Sequence, residues 1–268
     1  MIEKIYIPTL GRVDNQITYD NLPQKYKDMV TFVVTKSERP LHKRDCNYLV
    51  TENNIGIAKT RKQIIYDAGK INFAMIDDDV TFFYRDRNYK EKNIKSTELF
   101  TDKHFDDMFN KFDEWLSDGY IHCGCRLSNT FPFLDKDYDD NNRISDAHFI
   151  NGTTLSTIID DVDLSRYAIC EDFHFIFQYL SLGYKNRLSG RYTIRPLRYQ
   201  EGGCQLSGRT VEMEKEIFEN LQSEYPDYVK LKDSKMNKGS YSFSIKWKKM
   251  YKDGVAKRKS SKTLNKFI

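Results

Sequence analysis

The stretch Asn72-Phe-Ala-Met-Ile-Asp-Asp-Asp-Val-Thr81 constrains the fold of this chain more than any other. Residues 73–76 form an unbroken apolar run, the pattern of a central strand buried on both faces of an α/β sheet. Three aspartates follow at once, so they emerge beyond the carboxyl edge of the sheet, where open α/β sheets bind ligands. If the backbone stays extended, Asp77 and Asp79 point the same way. Two carboxylates on one side make a hard oxygen site suited to Mg²⁺ or Mn²⁺. Helix caps and surface loops also carry runs of Asp, so the motif is read together with its surroundings.

Those surroundings follow an α/β order. Residues 5–8 read as a first strand, followed by the turn Thr9-Leu10-Gly11-Arg12, which can bring backbone N–H groups and Arg12 to a ligand. Residues 30–35 and 46–50 read as two further strands. Apolar positions 57, 58, 64, 65 and 68 have helical spacing that stops at Gly69, just before the acidic strand at 71–76. Three strands, a helix and a strand suit a mostly parallel, Rossmann-like sheet flanked by helices. Neither GxGxxG nor GxxxxGK[ST] occurs, which disfavours a dinucleotide fingerprint or a Walker-type ATPase.

Further on, 104–116 reads as an amphipathic helix with a core-facing stripe. Residues 121–127 and 147–158 read as strands separated by a polar loop at 135–142. Residues 170–182 read as a helix opening on Glu171 and Asp172. Residues 187–195 read as a last strand, 198–209 as a Gly-containing mobile loop, and 210–222 as a helix.

Composition excludes some classes. Hydrophobic residues make up 39% of the 268, which is a core-forming chain and not a disordered one. The net charge of +4 names no polyanionic partner by itself. The five cysteines contain no CxxC pair, which leaves a zinc site unsupported, and their odd number argues against a fully paired disulfide framework. A reducing cytoplasm is the expected compartment. The opening Met-Ile-Glu-Lys-Ile-Tyr-Ile-Pro reads as a strand and not a signal peptide, and no apolar run is long enough for a membrane span.

Residues 230–268 differ from the rest, with many lysines interleaved with Tyr241, Phe243, Trp247 and Tyr251. The expected organisation is a catalytic domain at 1–229 and a basic, aromatic-rich extension at 230–268. The extension can rest on a phosphate backbone. It can equally be an amphipathic helix packed through its aromatics.

Ile5-Tyr-Ile-Pro-Thr-Leu-Gly-Arg12, Asn54-Ile-Gly-Ile-Ala-Lys-Thr-Arg61, Met75-Ile-Asp-Asp-Asp79 and Cys170-Glu-Asp-Phe-His174 fall in the order of a GT-A glycosyltransferase. Over residues 1–200 the chain resembles the phage-type glycosyltransferases that act on hydroxymethylated pyrimidines in DNA, relatives of the TET-associated group. The resemblance implies a UDP-sugar donor, a Mn²⁺ or Mg²⁺ cofactor, and double-stranded DNA containing 5-hydroxymethylcytosine, or a sugar already attached there, as acceptor. It implies no membrane and no obligate protein partner. Asp77 would face the nucleotide and share the metal with Asp79. Asp78 would be structural or sugar-facing. Thr9, Arg12, Arg61 and, less directly, Lys59 would line the nucleotide side. Asp172 or Glu171 would deprotonate the acceptor hydroxyl, against the plain reading of acids at a helix N-terminus. Asn151-Gly-Thr-Thr would shape the acceptor side. No histidine follows His174, so the third metal ligand that many GT-A enzymes draw from a late histidine is left open: water, another acid, or His174. Competing functions are transfer to a polysaccharide or lipid-linked acceptor, a nucleotidyltransferase that releases pyrophosphate, and a non-enzymatic DNA-binding protein on a GT-A shell.

Overall fold

The computed structural model describes residues 1–86, 88, 97–128, 136–197, 202–203, 210–233 and 241–264. The expected loop at 198–209, apart from Gly202 and Gly203, lies outside these residues, as do Lys235, Lys238 and Lys266.

In chain order the elements are β1 (Ile2–Pro8), α1 (Ile17–Asn21), α2 (Gln24–Lys27), β2 (Val30–Thr35), β3 (Asn47–Thr51), α3 (Gly56–Ala68), β4 (Asn72–Ile76) and β5 (Val80–Arg85). Next come β6 (Thr97–Leu99), α4 (Asp102–Ser117), β7 (His122–Leu127), β8 (Tyr138–Asp140), β9 (Ala147–Ile150) and α5 (Gly152–Ser156). The chain continues through α6 (Glu171–Ser181), β10 (Asn186–Pro196), α7 (Val211–Glu224), β11 (Val229–Asp233), β12 (Tyr241–Ile245) and α8 (Trp247–Leu264).

The main sheet runs β3-β2-β1-β4-β9-β7-β10-β5-β6, with β8 also paired to β10. Strands β9, β5 and β8 oppose the common direction of the others. The apolar run of β4 divides by alternation, as a doubly covered strand must. Phe73 and Met75 join the core under α3, α6, α7 and α8, while Ala74 and Ile76 join the core under α4. Both faces are covered, so the carboxyl edge is where polar side chains collect.

Two expectations are corrected. The segment 147–158 is not one strand. It ends at Ile150, and Asn151 Oδ1 accepts the Thr154 N–H at 2.8 Å to cap α5. Gly152 is required there because a Cβ would run into the Ile71 carbonyl. Since β9 opposes β4, Asn151 lies at the end of the sheet away from Asp77, so Asn151-Gly-Thr-Thr does not shape the acceptor side. The polar segment 135–142 is not all loop. Tyr138–Asp140 pairs with β10, and Arg187 of β10 holds Asp140 at 2.7 Å while stacking over Tyr138.

The expected boundary at 229/230 falls inside β11. Beyond it, Trp247 packs on Phe177 and Phe173 with ring centroids 4.9 and 6.0 Å away, and Met250 is fully buried. Gly254 lets α8 lie directly on the end of α6, because a Cβ would meet the Leu180 carbonyl. Lys248, Lys249, Lys252 and Lys259 are exposed. Among the described residues no helix is long and apolar enough to cross a membrane.

Candidate active site

After β4 the backbone does not stay extended: it turns at Asp78–Asp79 and returns as β5. The two outer carboxylates therefore meet different arginines. Arg61, from the second turn of α3, places Nη2 3.1 Å from Asp77 Oδ1. Arg12, beyond the end of β1, places Nη1 2.5 Å from Asp78 Oδ1 and 3.1 Å from Asp79 Oδ2.

The turn is pinned from several elements. Thr18 Oγ1 of α1 donates to the Asp77 carbonyl at 2.5 Å and accepts from the Val80 N–H at 2.9 Å. The Asp77 N–H reaches the Asp146 carbonyl, and the Leu197 N–H reaches that of Asp79. Asp78 is 4% exposed and also accepts from Thr9 Oγ1 at 2.6 Å. Gln16 Nε2 donates to Thr9 Oγ1 and to the Arg12 carbonyl. Thr9 and Asp78 thus hold one another and fasten Arg12 in place. The backbone of Gly203 bonds the Leu10 carbonyl, bringing Gly202 and Gly203 against Arg12.

The helix-start acids come to the same edge. Arg61 Nη1 lies 2.6 Å from Glu171 Oε1, so one guanidinium joins Glu171 to Asp77. Asp172 pairs with Arg143 Nη2 at 3.2 Å, and Arg143 lies over the Phe173 ring at 4.1 Å. Lys59 is exposed on the first turn of α3, with no ion pair among the described residues. His174 is buried against Tyr167 and Gln178 and faces Glu224, so it does not join the acidic turn.

Charge in this edge is unbalanced. Burial pushes Asp77 up to about 8. Arg61 opposes that shift, and the charges of Asp146, Asp79 and Asp78 reinforce it. Burial likewise raises Asp78 and Asp79 despite Arg12. Burial works against the Arg12 charge, but Asp78 and Asp79 outweigh it and raise its pKa. The crowded acids favour any added cation or hydrogen-bond donor.

Sequence reasoning missed Asp146 and Arg143. Asp146 sits just before β9 with φ of 63°, a left-handed conformation that Asp tolerates better than most side chains. Its only sequence signal is an acid immediately ahead of an apolar strand. Arg143 carries none, since its partner lies 29 residues away.

Among the described residues no group of three or more His, Cys, Asp or Glu side chains is arranged to hold a metal ion. Among solved structures, UDP-glucose pyrophosphorylase complexed with UDP-glucose is similar with a TM-score of 0.46 and 9% identity over 73% of this chain and 92% of that one. The apo form of UDP-glucose pyrophosphorylase gives a TM-score of 0.40 and 8% identity, with the same coverage of 73% and 92%. S. aureus TarS 1-349 gives a TM-score of 0.41 and 14% identity over 72% and 60% of the two chains. No curated protein matches the chain. The family of TET-Associated Glycosyltransferases matches residues 3–188, well over half of the sequence, and this span takes in β1, α3, the acidic turn and α6. The chain belongs to the TET-associated glycosyltransferases and has their glycosyltransferase activity on a GT-A fold.

Proposed function

We propose that this glycosyltransferase moves a sugar from a UDP-sugar to the hydroxymethyl group of 5-hydroxymethylcytosine in double-stranded DNA, or to a sugar already attached there, in the cytoplasm of a phage-infected cell. The observation that carries the reading is Arg61. By bonding both Asp77 and Glu171 it places the acids after β4 and the acids opening α6 in one site. A donor held by the first group and an acceptor activated by the second can then meet.

Asp77 and Asp79 fit a Mg²⁺ or Mn²⁺ ion in their chemistry. They are hard oxygen donors crowded by Asp78 and Asp146, and such ions are commonly held by one or two carboxylates together with substrate phosphates. The bound ion would offset charge on the leaving diphosphate. Arg12 and Arg61 supply fixed positive charge at the same edge, which favours the developing charge in the transition state. Asp172, or its neighbour Glu171, takes the acceptor hydroxyl proton as the acceptor oxygen bonds to the sugar and the sugar–diphosphate bond breaks. The bond from Asp172 to Arg143 orients the carboxylate.

The DNA side draws on α8. Trp247 stacks on Phe173, the neighbour of Asp172, so α8 starts beside the acid pair. Lys248, Lys249 and Lys252, with Lys136, Tyr251 and the acids Asp139 and Asp140, line a groove of about 680 Å³ between β8 and α8, where Lys248 pairs with Asp139 and Lys249 with Asp253, each at 2.7 Å. Exposed lysines of this kind neutralise phosphates without reading sequence.

The test is a panel of UDP-sugars with hydroxymethylcytosine DNA and with unmodified DNA, read by the mass of the digested nucleosides. One donor should add one sugar mass to the modified nucleoside alone. No mass gain on hydroxymethylated DNA with any donor, together with transfer to a saccharide or lipid-linked acceptor, would overturn the DNA assignment.

A further inference from the structure

A directional chain of buried polar side chains runs beneath the site, and the proposed reaction does not use it. It begins where the Asn142 N–H donates to Asn186 Oδ1 and the Asn142 carbonyl accepts from Asn186 Nδ2, both at 2.9 Å. Those two backbone bonds fix which way the amide points. The same Nδ2 donates to the Tyr179 hydroxyl at 2.6 Å. The phenol proton is then left for His122 Nδ1, 3.0 Å away. Burial holds both His122 and His148 neutral. With Nδ1 accepting, His122 carries its proton on Nε2 and donates it to His148 Nδ1 at 3.1 Å. His148 must therefore carry its own proton on Nε2.

That last N–H has no hydrogen-bond partner among the described residues, although His148 is only 2% exposed. A buried donor left unmade is costly and calls for an explanation. Its location supplies one. Asn186 and His122 lie at the starts of β10 and β7, and the chain climbs the sheet from there. His148 stands opposite Met75 of β4, two residues before Asp77, and opposite Gly124, whose missing side chain leaves room for Ile144. Asp146, two residues before His148, accepts the Asp77 N–H. The charges of Arg61 and Arg143 both bear on the imidazole. The chain thus ends under the two arginines that hold Asp77, Glu171 and Asp172.

We propose that His148 is a fixed, neutral hydrogen-bond donor at the floor of the site, and that its Nε2–H takes an oxygen of the bound nucleotide sugar, either a diphosphate oxygen or a sugar hydroxyl. The anchored amide, phenol and first imidazole set its tautomer, so the donor is ready before substrate arrives. This rests on the reading of the site as a nucleotide-sugar site.

Long-range ¹H–¹⁵N spectra of the histidine rings in the full chain test it, with the His148 signals assigned through His148→Gln. Without ligand, His122 and His148 should both appear as neutral Nε2–H tautomers. UDP and UDP-glucose are then added separately with Mg²⁺, and binding is followed independently by calorimetry. A His148 Nε2 shift with UDP identifies a diphosphate oxygen, and a shift with UDP-glucose alone identifies a sugar oxygen. Binding of either ligand with the His148 signals unmoved overturns the proposal and leaves the nucleotide-sugar reading intact. Binding of neither overturns that reading and the proposal with it. His148→Phe should weaken UDP-glucose binding by about tenfold, the scale of one hydrogen bond, and His148→Gln, which keeps an N–H donor, should recover part of it. Equal affinity in wild type and a folded His148→Phe chain would also overturn it.

Discussion

Arg61 and Glu171 lie 110 residues apart in the chain, and their side chains meet at 2.6 Å. Both are nearly buried, at 11% and 13% side-chain exposure, and the same guanidinium also holds Asp77. Removing the cation leaves two carboxylates crowded together. Arg61→Ala should cost on the order of 3–5 kcal/mol, the range for breaking a buried pair. Arg61→Lys should forfeit much of this as well, since an ammonium lacks the planar fork that spans two partners. Denaturant midpoints decide the matter, and an unchanged midpoint in Arg61→Ala would show that the bridge contributes nothing.

Transferase activity should need Mg²⁺ or Mn²⁺ and disappear on chelation. Asp79→Asn should lower turnover by orders of magnitude with the melting temperature little changed, because the bond from Asp79 to Arg12 is longer than the one from Asp78 to the same guanidinium. Full activity in excess EDTA would reject the metal.

Asp172→Asn should depress turnover strongly with little effect on UDP-sugar affinity, because proton abstraction belongs to the chemical step. An acid that serves only the helix N-terminus would instead cost about 0.3–1 kcal/mol of stability, with the rate intact. Rate and melt are needed on the same variant. Near-wild-type turnover would move the base to Glu171.

The two sides of α8 should separate cleanly. Gly254→Ala should destabilise the fold by about 1–3 kcal/mol, the usual cost of overpacking, because its Cβ meets the Leu180 and Ser181 carbonyls. Lys248→Gln with Lys249→Gln and Lys252→Gln should leave the melt nearly unchanged. That triple variant should weaken DNA binding and flatten its salt dependence, by about 0.9 in slope for each phosphate that is no longer neutralised. An unchanged salt slope would remove α8 from the DNA interface.

Acid should unfold the protein through its buried histidines. His122 is pushed down to about 3 by burial, and His148 is lowered for the same reason with Arg61 adding to it. In the unfolded chain both titrate near the ordinary value. Their contribution is therefore complete above about pH 6.5 and declines as pH falls toward the folded values, by about 1.4 kcal/mol per pH unit for each ring. Asp77, raised by burial, works in the opposite sense over the same range and offsets about one ring, so denaturant midpoints at pH 7 and pH 5 should differ by what remains, with the larger difference in Asp77→Asn. Equal stability at the two would mean that the pair is already charged in the fold.

Local pattern was sufficient to read much of the framework. Strands at 30–35 and 71–76 and the helices around 57–68, 104–116 and 170–182 could be read because burial imposes a period on apolar residues within one element. The acids were legible because three stand together at a strand end and two open a helix. Tyr138–Asp140 hid its pairing in polar residues, and the break at Asn151 hid because the threonines and isoleucines around it suit a strand as well. Which carboxylate meets which arginine was decided by tertiary structure alone. Arg12, Arg61, Arg143 and Asp146 come from four separate segments, and no spacing encodes their meeting. The same holds for the chain from Asn186 through Tyr179 and His122 to His148. Each link is an ordinary buried side chain in sequence, and its direction exists only because strands β7, β9 and β10 set their registers beside one another.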